Sequence, residues 1–153
     1  MLILARIFRG LFFSVSTVVP GRTFLEKVFL LHEEFNRPNG CARIERITRH
    51  MYDIVKMMDK PFAIDAMQNA KLYKDIVAHR EKFTAWSGLD YGSHFPWTIS
   101  FLPPESIDEK LREDYKQMKT GFIYADAPSY EEIMARLRDL QKRFRELKWE
   151  NKR

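Results

Sequence analysis

A single cysteine, Cys41, occurs among 153 residues, which excludes an intrachain disulfide and any cysteine-built zinc site. Four histidines, His32, His50, His79 and His94, stand far apart without HxxxH or HExxH spacing, so no complete metal site of protein ligands is expected. Six glycines and seven prolines are too few for a disordered or repeat-rich chain. The phosphate-loop pattern GxxxxGKS/T is missing, as are GxGxxG, GxSxG and CxxC. No run reaches the roughly 20 apolar residues of a membrane-spanning helix. Met1 to Val19 is apolar and carries Arg6 and Arg9 without an acid, but serines break it and no small-x-small cleavage site follows. Neither a leader nor a membrane partner is expected, and the cysteine usage favours a reducing, cytoplasmic setting.

What the chain does have is apolar residues, 45% by number, enough for the core of one domain. Its 26 basic and 21 acidic residues give a net charge of +5, compatible with a nucleotide or nucleic-acid partner without requiring one. Ser14 to Val19 alternates and is β-branched, which predicts one short strand ending at Pro20-Gly21. Thr23 and Glu26 have capping-box spacing, so a helix is predicted from Phe24 to about Asn36, with Phe24, Val28, Leu31 and Phe35 on its buried face. A second helix is predicted from about Ile44 to Met58, then a short one over Pro61 to Gln68. A fourth follows from about Asn69 to Phe83, with Leu72, Ile76, Val77 and Phe83 inward. Thr84 to Pro104 is rich in aromatics and breakers and reads as a long ordered loop. Ser106 with Glu109, and Ser129 with Glu132, mark the starts of two last helices. The predicted fold is all-α, a bundle of five to six helices with a long aromatic loop and one vestigial N-terminal strand. The predicted organisation is a remnant element over 1–19, a helical domain over 20–148 and a frayed tail over 149–153.

Several residues have both a bland and a chemical reading. Lys27 and Asp53 each lie at the margin of an apolar helical face and could meet across a helix pair. On the bland side, Lys27 snorkels toward Glu34 or another acid, and Asp53 pairs with Arg49 one turn away. On the chemical side, Lys27 offers a point charge to a phosphate, and Asp53 binds a metal or positions a hydroxyl. Spacing alone favours the bland side. Arg43, Arg46, Arg49 and His50 crowd the first half of the second helix, the end that normally repels cations, which suggests an anion there, such as phosphate. Trp86, Tyr91 and Trp97, with Lys82 and His94 nearby, could stack on a base or simply plug a core. Cys41 sits in a Pro-Asn-Gly-Cys turn with no recognisable base beside it and reads as a bystander thiol.

These segments also carry a resemblance. Pro20-Gly-Arg-Thr-Phe-Leu-Glu-Lys27-Val-Phe-Leu-Leu-His32 resembles the RTFWEKxxLLH segment of the AbiEii/AbiGii nucleotidyltransferase toxins of bacterial abortive-infection systems. Arg46-Ile-Thr-Arg-His-Met-Tyr-Asp53 is similar to their RxSRHYYDL segment. Leu111-Arg-Glu-Asp114-Tyr-Lys-Gln-Met118 followed by Ala127-Pro-Ser-Tyr-Glu-Glu-Ile133 resembles their LxxDYxxM…PSFxEIL stretch. The likeness runs in consistent order from about Val18 to Leu147.

The resemblance implies an enzyme of two parts. In that family a polymerase-β-like core with a Gly-Ser motif and a DxD-type pair binds nucleoside triphosphate and Mg²⁺, and a helical region adds a lysine and an aspartate. It implies Asp53 as a catalytic acid and Lys27 as a nucleotide contact; the residues themselves add Arg49 as a candidate nucleotide contact and His50, Trp86, Tyr91 and Trp97 as candidate contacts to RNA or substrate. It further implies an AbiEi-type antitoxin as partner, and tRNA 3′ ends as acceptors. Nothing ahead of Thr23 has the length for the Gly-Ser and DxD core, and one aspartate cannot bridge two metals to a triphosphate. The chain is therefore expected to correspond to the helical region alone, inactive by itself. A surface left for the missing core is expected to favour self-association. A non-enzymatic module that contacts RNA, an antitoxin or a separate catalytic half is the alternative.

Overall fold

The computed structural model describes residues 3–7, 11–15, 19–40, 42–122 and 127–149. The fold is all-α, built on six helices: α1 (Pro20–Phe35), α2 (Ile47–Met57), α3 (Pro61–Gln68), α4 (Ala70–Phe83), α5 (Asp108–Phe122) and α6 (Tyr130–Arg145). Ahead of them, β1 (Ile3–Ile7) and β2 (Leu11–Val15) pair as an antiparallel hairpin, with Ile3 opposite Val15 and Ile7 opposite Leu11. One strand over Ser14 to Val19 had been expected. Two form instead, because the earlier run from Ile3 supplies a partner and satisfies the backbone groups that a lone strand leaves open. Residues 16–18 of that expected strand lie outside the described residues, as does Cys41.

The centre of the bundle is α1. It starts earlier than the Thr23–Glu26 spacing suggested: Pro20 takes the first helical position, where its missing N–H costs nothing, and Val19 stays extended before it. Glu26 accepts from Arg22 Nε at 2.9 Å instead of closing a capping box. Phe24, Leu25, Val28, Phe29 and Leu31 are wholly buried, and His32, Glu33 and Glu34 nearly so. The helix is thus covered almost all round, packing against α2, α3 and α4, while α2 packs in turn on α5 and α6. Gly21 permits the close approach of α1 to α3. A methyl group there would sit 2.8 Å from the Phe62 carbonyl oxygen and 2.9 Å from Ala66 Cβ.

The two serine-led helix starts differ. Ser129 and Glu132 form the full capping box on α6, with Glu132 N–H to Ser129 Oγ at 3.1 Å and Ser129 N–H to Glu132 Oε2 at 2.6 Å. Ser106 and Glu109 do not. A 3₁₀ turn over Glu105–Ile107 leads into α5 and supplies the start geometry itself. On α4 the buried residues are Tyr73 and Ile76, whereas Phe83 is 67% exposed. Phe83 stands in the last turn, past the stretch that α1 covers, and its ring lies against His79 instead. The segment 84–104 is a loop as expected, with a 3₁₀ turn at Tyr91–His94 and with His94, Ile99 and Phe101 buried in the core. Trp149, assigned by sequence to the fraying tail, packs on Tyr73 and donates its indole N–H to the Met67 carbonyl at 3.2 Å. No helix among the described residues is long and apolar enough to cross a membrane.

Candidate functional site

Lys27 and Asp53 meet. Helix α1 presents Lys27 from the edge of its buried face, α2 presents Asp53 from its polar stripe, and Nζ donates to Oδ2 at 2.9 Å. His50, one turn before Asp53, places Nδ1 3.4 Å from the same ammonium. The side chains of Lys27 and Asp53 keep 22% and 36% of their exposure, so the pair is reachable from solvent. Burial, and then the neighbouring Lys27 charge, hold the His50 imidazole below its ordinary pKa, so it faces Lys27 as a neutral acceptor. The three groups form a cross-helix cluster with one cation between two acceptors. Glu34 is taken by Arg37, at 2.9 Å, and the acid that Lys27 finds is Asp53, 26 residues along the chain.

The start of α2 answers the question raised by its arginines. Arg46 caps the helix in a left-handed conformation, with φ of 62°. The free backbone N–H groups there are claimed by Asp114 of α5, which accepts from Arg46 N at 2.8 Å, from Thr48 N at 3.1 Å and from the Thr48 hydroxyl. A carboxylate of this chain thus serves the open backbone N–H groups at that end. Asp114 belongs to the motif that suggested the resemblance, and its job here is to cap and position the helix that carries His50 and Asp53. Arg49, on the same helix, lines a shallow pocket together with Glu45, Arg46, Asp114, Gln117 and Met118.

A second polar network, absent from the sequence reading, lies inside the bundle. Glu33 of α1 is 2% exposed and takes a bidentate pair from Arg80 of α4, Nε to Oε1 and Nη2 to Oε2, each at 2.6 Å. His94 Nε2 lies 3.1 Å from Glu33 Oε1, and the Tyr73 hydroxyl donates to the His94 carbonyl. Burial alone would raise the Glu33 carboxyl, but the hydrogen bonds from Arg80 and His94 hold it below its ordinary value. His32 lies edge-on to His94, at 4.6 Å between ring centroids. Its Nδ1 lies 3.0 Å from the Ser100 carbonyl oxygen and 3.1 Å from the Ser100 nitrogen, and its Nε2 lies 2.9 Å from Ser93 Oγ. Ser93 donates its hydroxyl to the Asp90 carbonyl at 2.6 Å. This network clamps the loop over 84–104 onto α1 and α4. The sequence signal was weak, because charged residues on a helix ordinarily face water.

The aromatic residues put forward as base contacts separate. Tyr91 stacks on buried His94, at 4.9 Å and 7°, and serves the clamp. Trp86 is half-buried under the Arg37 guanidinium, which lies 3.6 Å from its ring centroid. Trp97 remains 55% exposed and stacks on Phe95 at 5.0 Å. The structure brings Lys27, His50 and Asp53 together and places Trp97 in none of their contacts.

A family model described as the nucleotidyl transferase AbiEii toxin, of type IV toxin–antitoxin systems, matches residues 3–144. The chain belongs to the AbiEii family. That membership makes it a relative of nucleotidyltransferase toxins and carries an antitoxin with it as the class of partner. No curated protein and no solved structure matches the chain. The fit of an AbiEii enzyme's Mg²⁺ to these side chains is poor. Among the described residues no three histidine, cysteine or carboxylate groups converge as metal ligands, and Asp53 already accepts from a lysine. A nucleotide phosphate suits the cluster better, because Lys27 supplies a partly exposed ammonium.

Proposed function

We propose that this AbiEii-family domain supplies the phosphate-contacting lysine and one acid of a nucleotidyl-transfer site. The observation that carries the reading is the Lys27 Nζ to Asp53 Oδ2 contact at 2.9 Å, made across α1 and α2 and open to solvent. In the resting protein Asp53 and His50 hold the ammonium at a defined point. A triphosphate entering there exchanges with Asp53 for the lysine, and the freed carboxylate then faces the reacting centre. Nucleotidyl transfer also needs carboxylates that hold metal, and the described residues do not assemble them. We therefore assign catalysis to the domain only in combination with such a core, with an RNA 3′ end, as on tRNA, as the acceptor.

The test is transfer of labelled nucleoside triphosphates to bulk tRNA with Mg²⁺. No label is expected with the pure chain, label is expected once a polypeptide bearing the family's metal-binding core is added, and Lys27→Ala abolishes it in that mixture. Robust labelling by the chain alone that Lys27→Ala removes would overturn the claim of inactivity. Labelling indifferent to Lys27→Ala would overturn the site. A binding role without catalysis has one observation in its favour, the exposed Phe95–Trp97 stack, and it predicts retention of RNA or an antitoxin in gel shifts with no labelling in any mixture.

A further inference from the structure

Next to the Lys27 cluster lies a separate pocket of about 330 Å³, and His50 belongs to both. It opens between the end of α1, the start of α2 and the end of α4, and its walls carry Arg37, Arg43, Arg46, Arg80, His50 and Trp86. Three acids also line it, but two of them are already committed. Glu33 is 2% exposed and bonded to Arg80, and Glu34 is 7% exposed, paired with Arg37 and accepting from the Arg43 backbone N–H. The groups left facing solvent are the guanidiniums of Arg43 and Arg46, against the single carboxylate of Glu45. Neither guanidinium makes an ion pair with any carboxylate among the described residues.

Two features show that the pocket is organised rather than a random gap between helices. The Arg37 guanidinium lies 3.6 Å from the Trp86 ring centroid and that of Arg43 lies 5.2 Å from it, so the indole fixes the plane of one cation and the position of the other. Arg37 also keeps unused capacity. Its buried Nε has no hydrogen-bond partner, and its Nη2 stands 2.9 Å from Glu34 Oε2 at ion-pair distance without hydrogen-bond alignment. Planar guanidiniums with free donors, held on an indole, are the chemistry that binds phosphate in a fork.

We infer that the Arg37–Arg43–Arg46–Trp86 pocket is a second anion site that holds a phosphate group of a nucleotide or of an RNA backbone while Lys27 engages the reacting triphosphate. The choice of a nucleotide phosphate as ligand rests on the nucleotidyl-transfer reading, whereas the pocket and its charge do not. The indole N–H resonances of Trp86, Trp97 and Trp149 give three separate reporters for a titration, each assigned by a Trp→Phe substitution. Inorganic tripolyphosphate, a mixture of nucleoside triphosphates, and a single-stranded oligoribonucleotide are added at fixed salt. The Trp86 resonance is expected to shift and those of Trp97 and Trp149 to stay. Arg43→Gln and Arg46→Gln are each expected to weaken binding about tenfold, the loss of one charge-assisted contact.

A response to the oligoribonucleotide but not to the triphosphates names the strand as the source, the converse names the free nucleotide, and both support the site. No Trp86 response to any of the three, a response matched by sulfate at the same ionic strength, or affinity unchanged in the double arginine variant overturns it. Lys27→Gln leaves the Trp86 response in place if the pocket is independent. A failure of nucleotidyl transfer in the mixture with the family's metal-binding core, with that response intact, would remove the catalytic reading and leave the anion site standing.

Discussion

The Lys27–Asp53 pair makes a prediction with opposite signs. At 2.9 Å the Coulomb attraction would be about 6 kcal/mol at an effective dielectric of 20, and about 1.4 kcal/mol in bulk water. With 22% and 36% of the two side chains exposed, solvent and the entropy of fixing long side chains take most of this back. A net coupling of about 0.5–1 kcal/mol is expected from a urea double-mutant cycle with Lys27→Met and Asp53→Asn. Ligand binding should then split the pair. Lys27→Met removes the cation and weakens tripolyphosphate binding about tenfold, the value of one charge-assisted contact. Asp53→Asn removes the group that competes with phosphate for the ammonium, so the same ligand binds several-fold more tightly. Equilibrium dialysis with tripolyphosphate reads both changes, and the cycle shows that neither follows from unfolding. A coupling above about 2 kcal/mol would mark the pair as structural, and weaker binding in both variants would refute a role for Asp53 as the resting partner of a phosphate-binding lysine.

Three further outcomes follow from the packing. Burial, with a smaller part from nearby His94, pushes His32 down to about 4 from its ordinary 6.5, so the unfolded chain binds the proton that the folded chain refuses. Stability should therefore fall by on the order of 3 kcal/mol as pH drops from about 6.5 to about 4, and His32→Gln should flatten that slope in denaturant melts. Gly21→Ala should destabilise by about 1–3 kcal/mol despite alanine's better helix propensity, because the added methyl meets the Phe62 carbonyl at 2.8 Å; a rise in melting temperature would refute it. Asp114→Ala should cost about 1–2 kcal/mol and speed amide exchange at Arg46 and Thr48, while unchanged exchange there would show that α2 keeps its start without the α5 carboxylate.

What was legible in the sequence was what local pattern controls. The apolar faces of α1 and α2 follow from the 3.6-residue period, and Lys27 and Asp53 stood out because each interrupts such a face at its margin. Pro20 was read as a terminator when it is a starter, since a proline ends one element and opens the next with equal ease. The carboxylate that caps the start of α2, Asp114, lies 66 residues away from Thr48, and no periodicity reaches that far. The same limit hid the Glu33–Arg80–His94 clamp. Each member looks like a solvent-facing residue on its own element, and only the packing of α4 and the loop against α1 turns them inward. Trp86 and Tyr91 were identified by composition, which fixes the presence of rings and not the cations or imidazoles that cover them.

The two polar networks divide the work of the domain. Helix α1 carries both, Lys27 on one side and Glu33 on another, less than two turns apart. The Glu33 network is buried and bidentate, so moving α1 relative to α4 would strand a charged carboxylate out of water, a loss of several kcal/mol. The Lys27 network is half-open and weakly coupled, so its members can change partners at little cost. Asp114 supplies the matching constraint on the other side by fixing the start of α2 to α5. Rigid attachment of both helices, with an exchangeable contact between them, is what a phosphate-binding site needs: the backbone holds the two side chains in register while the ligand displaces one from the other. A buried Lys27–Asp53 pair would have kept the geometry and lost the exchange. The exposure of this pair, more than its distance, is therefore what favours function over scaffold.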